Sequence, residues 1–159
     1  MTAFKPHIVI SSGEPAGIGL DLCVLLSTKK FPAFITVVGD KNALTDRANR
    51  LNKSITLYEN VPIEHKGDHS LSIHHIPACE NIQTGLLNPR NNQYVLDVLN
   101  FALDGCLNKS FDALVTALGS GNLHIMQIGL FSNTNETCFL VLEIVTNTKG
   151  IRLNIPHWP

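Results

Sequence analysis

Short apolar runs alternate with longer amphipathic stretches over the first two thirds of the chain. His7-Ile-Val-Ile-Ser11, Phe34-Ile-Thr-Val-Val38, Ser54-Ile-Thr-Leu-Tyr58 and Phe111-Asp-Ala-Leu-Val-Thr116 have the length and β-branched content of buried strands. Leu71-Ser-Ile-His-His-Ile76 alternates only weakly and is expected at a sheet edge. Between these runs, Leu20 to Ser27 reads as a helix that ends before the charges of Lys29 and Lys30, and Gly39-Asp40 turns the chain into a helix from about Asn42 to Leu51. Pro62 to His69 is polar and expected as loop. From Arg90 to Leu107, Val95, Val98, Leu99, Ala102, Leu103 and Cys106 fall on one helical face. Strands and helices alternating at this spacing predict an α/β fold, a mostly parallel sheet with helices on its faces.

After Thr116 the pattern fades. Gly119, Gly121 and Gly129 interrupt any helix, Asn133 to Thr137 is polar, and Phe139 to Val145 reads as a strand or a short buried helix. Charge thins at the same place: residues 117–159 hold only Glu136, Glu143, Lys149 and Arg152, 4 of the chain's 25 charged residues (12 Lys+Arg plus 13 Asp+Glu). The reading is therefore an organised portion, 1–116, followed by a diverged or degraded tail, 117–159. The chain stops on an apolar, Pro-flanked tip, Ile155 to Pro159, and is expected to be a truncated piece of a larger α/β unit.

A net charge of −1 excludes a strongly basic nucleic-acid binder and an acidic solvating tail. Cys23, Cys79, Cys106 and Cys138 lie far apart with no C-x-x-C pair, which suits buried reduced thiols. No N-terminal charged region is followed by the apolar core of a signal peptide, and the longest apolar stretch is far short of the roughly 20 residues that span a bilayer. A cytoplasmic protein without nucleic-acid or membrane partners is expected.

The first apolar run leads directly into Ser12-Gly-Glu-Pro-Ala-Gly-Ile-Gly19 and then a helix. Glycines at 13, 17 and 19 let backbone approach a ligand closely, and a new helix points free N–H groups toward it. The spacing is neither that of a P-loop, since no Lys-Ser/Thr follows, nor the dinucleotide fingerprint G-x-G-x-x-G. A tight strand-to-helix turn accounts for the same glycines, and the two readings stand side by side. Glu14 suits either a hydrogen bond to substrate or a cap on the Gly17–Gly19 amides.

The residues are more specific than the spacing. Ser12 to Gly19 resembles the opening motif of the 4-hydroxythreonine-4-phosphate dehydrogenase family of pyridoxal phosphate (vitamin B6) biosynthesis. A second block agrees: Thr84-Gly-Leu-Leu87, Tyr94-Val95, Leu99, Asp104-Gly-Cys-Leu-Asn108, Phe111 and Ala113-Leu-Val-Thr116. The resemblance covers residues 7–116, with Leu20 standing where the family usually has proline. It implies a three-layer α/β/α fold like that of isocitrate and isopropylmalate dehydrogenases, in a subunit about twice as long that works as a homodimer. The implied chemistry is oxidation of a small phosphorylated amino acid, 4-phosphohydroxy-L-threonine, by NAD. A divalent metal (Zn, Mg or Co) held by three histidines polarises the substrate hydroxyl, and the β-keto acid then loses CO2.

Several family positions differ here. A Gly-Pro-Val-His-Lys loop is replaced by Ala117-Leu-Gly-Ser-Gly121, and the substrate-binding His-Thr pair falls by residue count on Thr134 and Asn135, neither of which supplies a cationic donor. His157, in His157-Trp158-Pro159, resembles the His-Leu-Pro-like context of the first metal histidine once several residues are deleted, and a loose C-terminal histidine is the other reading. One histidine cannot hold a catalytic ion, and the other ligands of the family fall past Pro159. His74 and His75 are adjacent and face opposite sides of a strand, and His65 and His69 are expected to be exposed or at an edge. Cys23 and Cys106 are expected to fill the core. The resulting expectation is a truncated dehydrogenase that is inactive alone, the alternative being a non-catalytic remnant or a small module binding a phosphate compound through Gly13–Gly19.

Overall fold

The computed structural model describes residues 4–78, 81–120, 123–130 and 144–145, with residues past 117 as backbone only. Among them the elements run β1 (His7–Ser11), α1 (Gly19–Leu26), β2 (Phe34–Gly39), α2 (Lys41–Arg50), β3 (Thr56–Glu59), β4 (Ser70–His75), α3 (Asn92–Leu107), β5 (Ala113–Ser120), β6 (Leu123–Leu130) and β7 (Ile144–Val145). One sheet takes the order β3-β4-β2-β1-β5-β6-β7. Its first five strands are parallel, while β6 and β7 are antiparallel to their neighbours.

The alternating strand faces build two cores. Ile10, Ile35, Val37, Leu71, Ile73 and Val115 meet Leu20, Cys23 and Val24 of α1 and Leu44 and Ala48 of α2 on one side. Val9, Val38 and Leu114 meet Tyr94, Val98, Ala102 and Cys106 of α3 on the other. Helices on both faces of a parallel sheet are the three-layer α/β arrangement that the alternation predicted. Cys23 and Cys106 are free, buried thiols, as expected of core fillers.

Three expectations are corrected. First, β4 is an inner strand between β3 and β2, and the edge belongs to β3. Ser72, a polar position of the alternation that would face solvent at an edge, is buried, and its hydroxyl lies 3.2 Å from that of Thr36 on the next strand. Second, the buried face of α3 is centred on Tyr94, Val98, Ala102, Gly105 and Cys106, while Leu103 is exposed. The rotation lets the Phe111 ring lie over Gly105, where a Cβ would come within 2.3 Å of it. Third, His65 is 1% exposed rather than on the surface. The loop folds under the end of α1, with hydrogen bonds from Phe31 N to His65 O and from His65 N to Ala33 O, so that Nε2 meets the Leu26 carbonyl at 2.9 Å. That carbonyl, in the last turn of α1, also accepts from Lys29 N at 2.9 Å, so the histidine meets an acceptor beyond the helix's own hydrogen-bond ladder.

His74 and His75 do diverge. The His74 ring stacks on Phe101 of α3 at 3.6 Å, whereas His75 Nδ1 accepts from Lys41 N at the start of α2. β5 also runs past Thr116 to Ser120, and β6 returns along it in an eight-residue register from Ala113–Leu130 to Ser120–Leu123.

Candidate functional site

β1 lies where the connections reverse. β2 flanks it on one side and β5 on the other, with α1 and α3 on opposite faces. In open α/β sheets the crevice outside the carboxyl ends of such strands is where ligands bind. Ser11 of β1 and Thr116 of β5 are paired at that end, and the loop Ser12–Ile18 starts there.

Each glycine of the loop has an assignable job. Gly13 has φ 68°, a left-handed conformation that costs a side-chain-bearing residue about 1–2 kcal/mol. Gly17 N donates to Glu14 O at 3.0 Å and closes the turn. A Cβ on Gly19 would sit 2.1 Å from the Ser12 carbonyl oxygen and 3.0 Å from the Ala117 Cβ, so α1 begins in direct contact with the backbone just past the end of β1. All three thus serve the tight strand-to-helix turn, Gly13 and Gly19 because a side chain would be strained there and Gly17 through an amide that any non-proline residue could supply. The ligand-facing possibility rests on the start of α1, where the N-cap Ile18 provides no side-chain acceptor to the first amides.

Glu14 Oε1 accepts from Ala16 N at 3.3 Å, so it braces the loop rather than capping the Gly17–Gly19 amides. Burial pushes its carboxyl above the ordinary range, and the Ala16 bond partly offsets this. Arg47 of α2 lies beneath the loop, donating to Asp21 Oδ2 at 2.5 Å and to the Pro15 carbonyl at 3.3 Å. Leu20, at the position of the family proline, is 1% exposed and packs into the α1 core.

The two blocks quoted from the sequence meet in space. Gly85 N donates to Ala16 O at 2.8 Å, Arg50 Nη1 donates to Thr84 Oγ1 at 2.8 Å, and Tyr94 OH lies 3.2 Å from Ser12 Oγ. Between them opens a cleft of about 290 Å³ bordered by Pro15, Asp40, Arg47, Arg50 and Thr84. Asp40 is spent on structure: Oδ1 accepts from Asn42 N and Ala43 N, and Oδ2 from Ala78 N. Arg47 and the Ser12–Tyr94–Asp40 cluster were not singled out as a site from sequence. The one available signal was Tyr94 at i−4 from Val98 on the buried face of α3.

Gly13, Glu14 and Gly17 lie in the connection between β1 and α1, and Gly19 is the first residue of α1. Thr134, Asn135 and His157 lie outside the described residues. Among the described residues no three His, Cys, Asp or Glu side chains are placed to hold a metal ion, so these residues do not fit a metal centre. No described helix is long and apolar enough to cross a membrane.

No protein-family model matches the chain. A curated 4-hydroxythreonine-4-phosphate dehydrogenase from Vibrio cholerae serotype O1 is 40% identical over 167 residues, an alignment that takes in 96% of this chain and 49% of that protein. The chain is homologous to part of 4-hydroxythreonine-4-phosphate dehydrogenase. The enzyme of that name from Neisseria meningitidis serogroup B is 43% identical over 114 residues, 71% of this chain and 35% of the relative. This chain thus spans about a third to a half of the length of the dehydrogenases it matches. Crystal structures of 4-hydroxythreonine-4-phosphate dehydrogenases from Klebsiella pneumoniae and Burkholderia phymatum superpose with TM-scores of 0.61 and 0.62. At 18% and 17% identity, each over 74% of this chain and 38% of the other, they establish the shared α/β fold.

Proposed function

We propose that the chain derives from, and supplies the N-terminal sheet and glycine loop of, an enzyme that oxidises 4-phosphohydroxy-L-threonine with NAD in vitamin B6 biosynthesis. The observation that carries this is the 40% identity over 96% of the chain to a dehydrogenase of that name. The geometry is compatible: both resemblance blocks converge on the carboxyl end of β1, where the loop and the start of α1 can meet a phosphate or another anion. NAD and a phosphorylated amino acid are the ligands this reading assigns, and a second copy of the subunit is the assembly it assigns. The free, buried thiols Cys23 and Cys106 support a reducing compartment, and the cytoplasm is the assigned location.

Turnover by this chain alone is not part of the proposal. The described residues offer no metal centre, and the positions equivalent to the substrate-binding His-Thr pair are Thr134 and Asn135. Incubation with 4-phosphohydroxy-threonine, NAD and a divalent metal should give no NADH above a metal-free control. NADH formation would overturn that limit. Binding is read separately by thermal shift: ligand at a hundredfold its Kd stabilises by about 2.7 kcal/mol. Flat responses to both NAD and the phosphorylated substrate would favour the non-catalytic remnant.

A further inference from the structure

Tyr94 is among the largest fully buried side chains of the described residues, yet its ring and its hydroxyl do different things. The ring packs with Val9, Val38, Val98 and Ala102 in the core beneath α3. The hydroxyl reaches the carboxyl end of the sheet. There it accepts the Asp40 N–H at 2.9 Å and lies 3.2 Å from Ser12 Oγ. Because the Asp40 amide already donates to the phenol oxygen, the phenol hydrogen is available to Ser12 Oγ.

Those two partners begin the two loops that border the cleft. Ser12 opens the glycine loop after β1, and Asp40 caps α2 after β2. Gly39 leaves room for the arrangement, since a Cβ there would lie 2.3 Å from Ser12 Oγ and 3.1 Å from the Tyr94 hydroxyl. Ser12 N donates to Val38 O at 3.0 Å, which ties the same two strands by backbone.

We infer that the Tyr94 hydroxyl is a positioning group for the glycine loop. It fixes Ser12 and Asp40 to one point and so sets the separation of the β1 and β2 loops across the cleft. The inference goes beyond the proposed function, because it rests on hydrogen bonds within this chain and on no ligand.

Amide hydrogen exchange followed by NMR on the whole chain tests it. Tyr94→Phe removes one oxygen and keeps the ring. The Asp40 and Ser12 amides should exchange at least about tenfold faster, while Ile10 and Val37 in the central strands keep rates set by global stability. The Asp40 amide resonance should also move as its acceptor disappears. Val98→Ala perturbs the same core but leaves the hydroxyl; it should lower protection evenly and leave the Asp40 resonance in place. Unchanged Asp40 and Ser12 exchange in Tyr94→Phe, or the same selective loss in Val98→Ala, would overturn the inference. Should Tyr94→Phe fail to fold, Ser12→Ala decides: it removes one leg of the tie, and unaltered Gly13 exchange in that variant would be equally fatal.

Discussion

Replacing Gly19 by alanine tests the close approach on which the loop is built. The added methyl would sit 2.1 Å from the Ser12 carbonyl oxygen, 3.1 Å from its carbon and 3.0 Å from the Ala117 Cβ. The first two are backbone atoms, and Ser12 is anchored by its bond to Val38 O, so no side-chain rotation relieves the contact. Relief to an ordinary carbon–oxygen separation of about 3.3 Å or more requires α1 to move by roughly 1 Å. That motion would draw Leu20, Cys23 and Val24 from the core they share with Ile10, Ile35 and Val115. Overpacking of this kind costs about 1–3 kcal/mol, and a backbone neighbour puts the site at the upper end, about 3 kcal/mol. Helix propensity returns at most about 1 kcal/mol for Gly→Ala, so the net loss is about 2 kcal/mol or more. With a urea m-value of about 2 kcal/mol/M, the midpoint by circular dichroism should fall by about 1 M. Gly85→Ala is the comparison. Nothing lies within 4 Å of that Cβ, and the change pays only for φ 81°, about 1–2 kcal/mol. A Gly19→Ala protein as stable as the parent, or less affected than Gly85→Ala, would refute the packing argument and return Gly19 to a ligand-facing role.

Asp40→Ala removes acceptors from Asn42 N, Ala43 N and Ala78 N and should destabilise by about 3 kcal/mol in urea titration; Asp40→Asn, which still caps α2, should cost about half of that. Burial holds the His7 and His74 rings below their ordinary value of 6.5, so the unfolded chain takes up those protons first. Their contribution is complete above pH 6.5 and is lost as the pH falls through it toward the folded values; His7→Gln and His74→Gln should each flatten the decline in urea midpoint between about pH 7.5 and 5.5. Glu14, displaced upward, acts in the opposite sense, its stabilisation fading as the pH rises from about its ordinary value of 4.5. Burial raises the Cys23 thiol to about 12 and that of Cys106 to about 11, so both should resist alkylation at neutral pH under native conditions and react in denaturant, as read by peptide mass mapping. Rapid native labelling of Cys23 would contradict the placement of α1.

The layer structure was legible because it depends on local pattern. Apolar runs at β1, β2 and β5 and the amphipathic stretch at α3 each carry their own signal, and the strand–glycine–helix order located the loop. What escaped was fixed by partners distant in sequence. Ser72 looks like a solvent-facing position until Thr36 stands beside it, 36 residues away. His65 looks like a loop histidine until the end of α1, 39 residues earlier, offers the Leu26 carbonyl. Tyr94 could be read as one more core aromatic, and only Ser12, 82 residues away, and Asp40, 54 away, give its hydroxyl a role. Buried polar groups must be satisfied, but periodicity does not say by whom.

The central position of β1 has a consequence for how the chain is made. Its right-hand neighbour, β5, begins at Ala113, and the His7 amide waits for the Asp112 carboxylate across a separation of 105 residues. During synthesis β1, β2, β3 and β4 can assemble early, leaving the middle of the eventual sheet as a bare, apolar margin until β5 emerges. Such a margin readily pairs with a neighbouring nascent chain, and contacts this far apart are slow to form. The strand that begins the fold is thus among the last to be sealed. Growth temperature and ribosome pausing before Ala113 should therefore govern soluble yield more strongly than substitutions on the outer surfaces of α1 or α3.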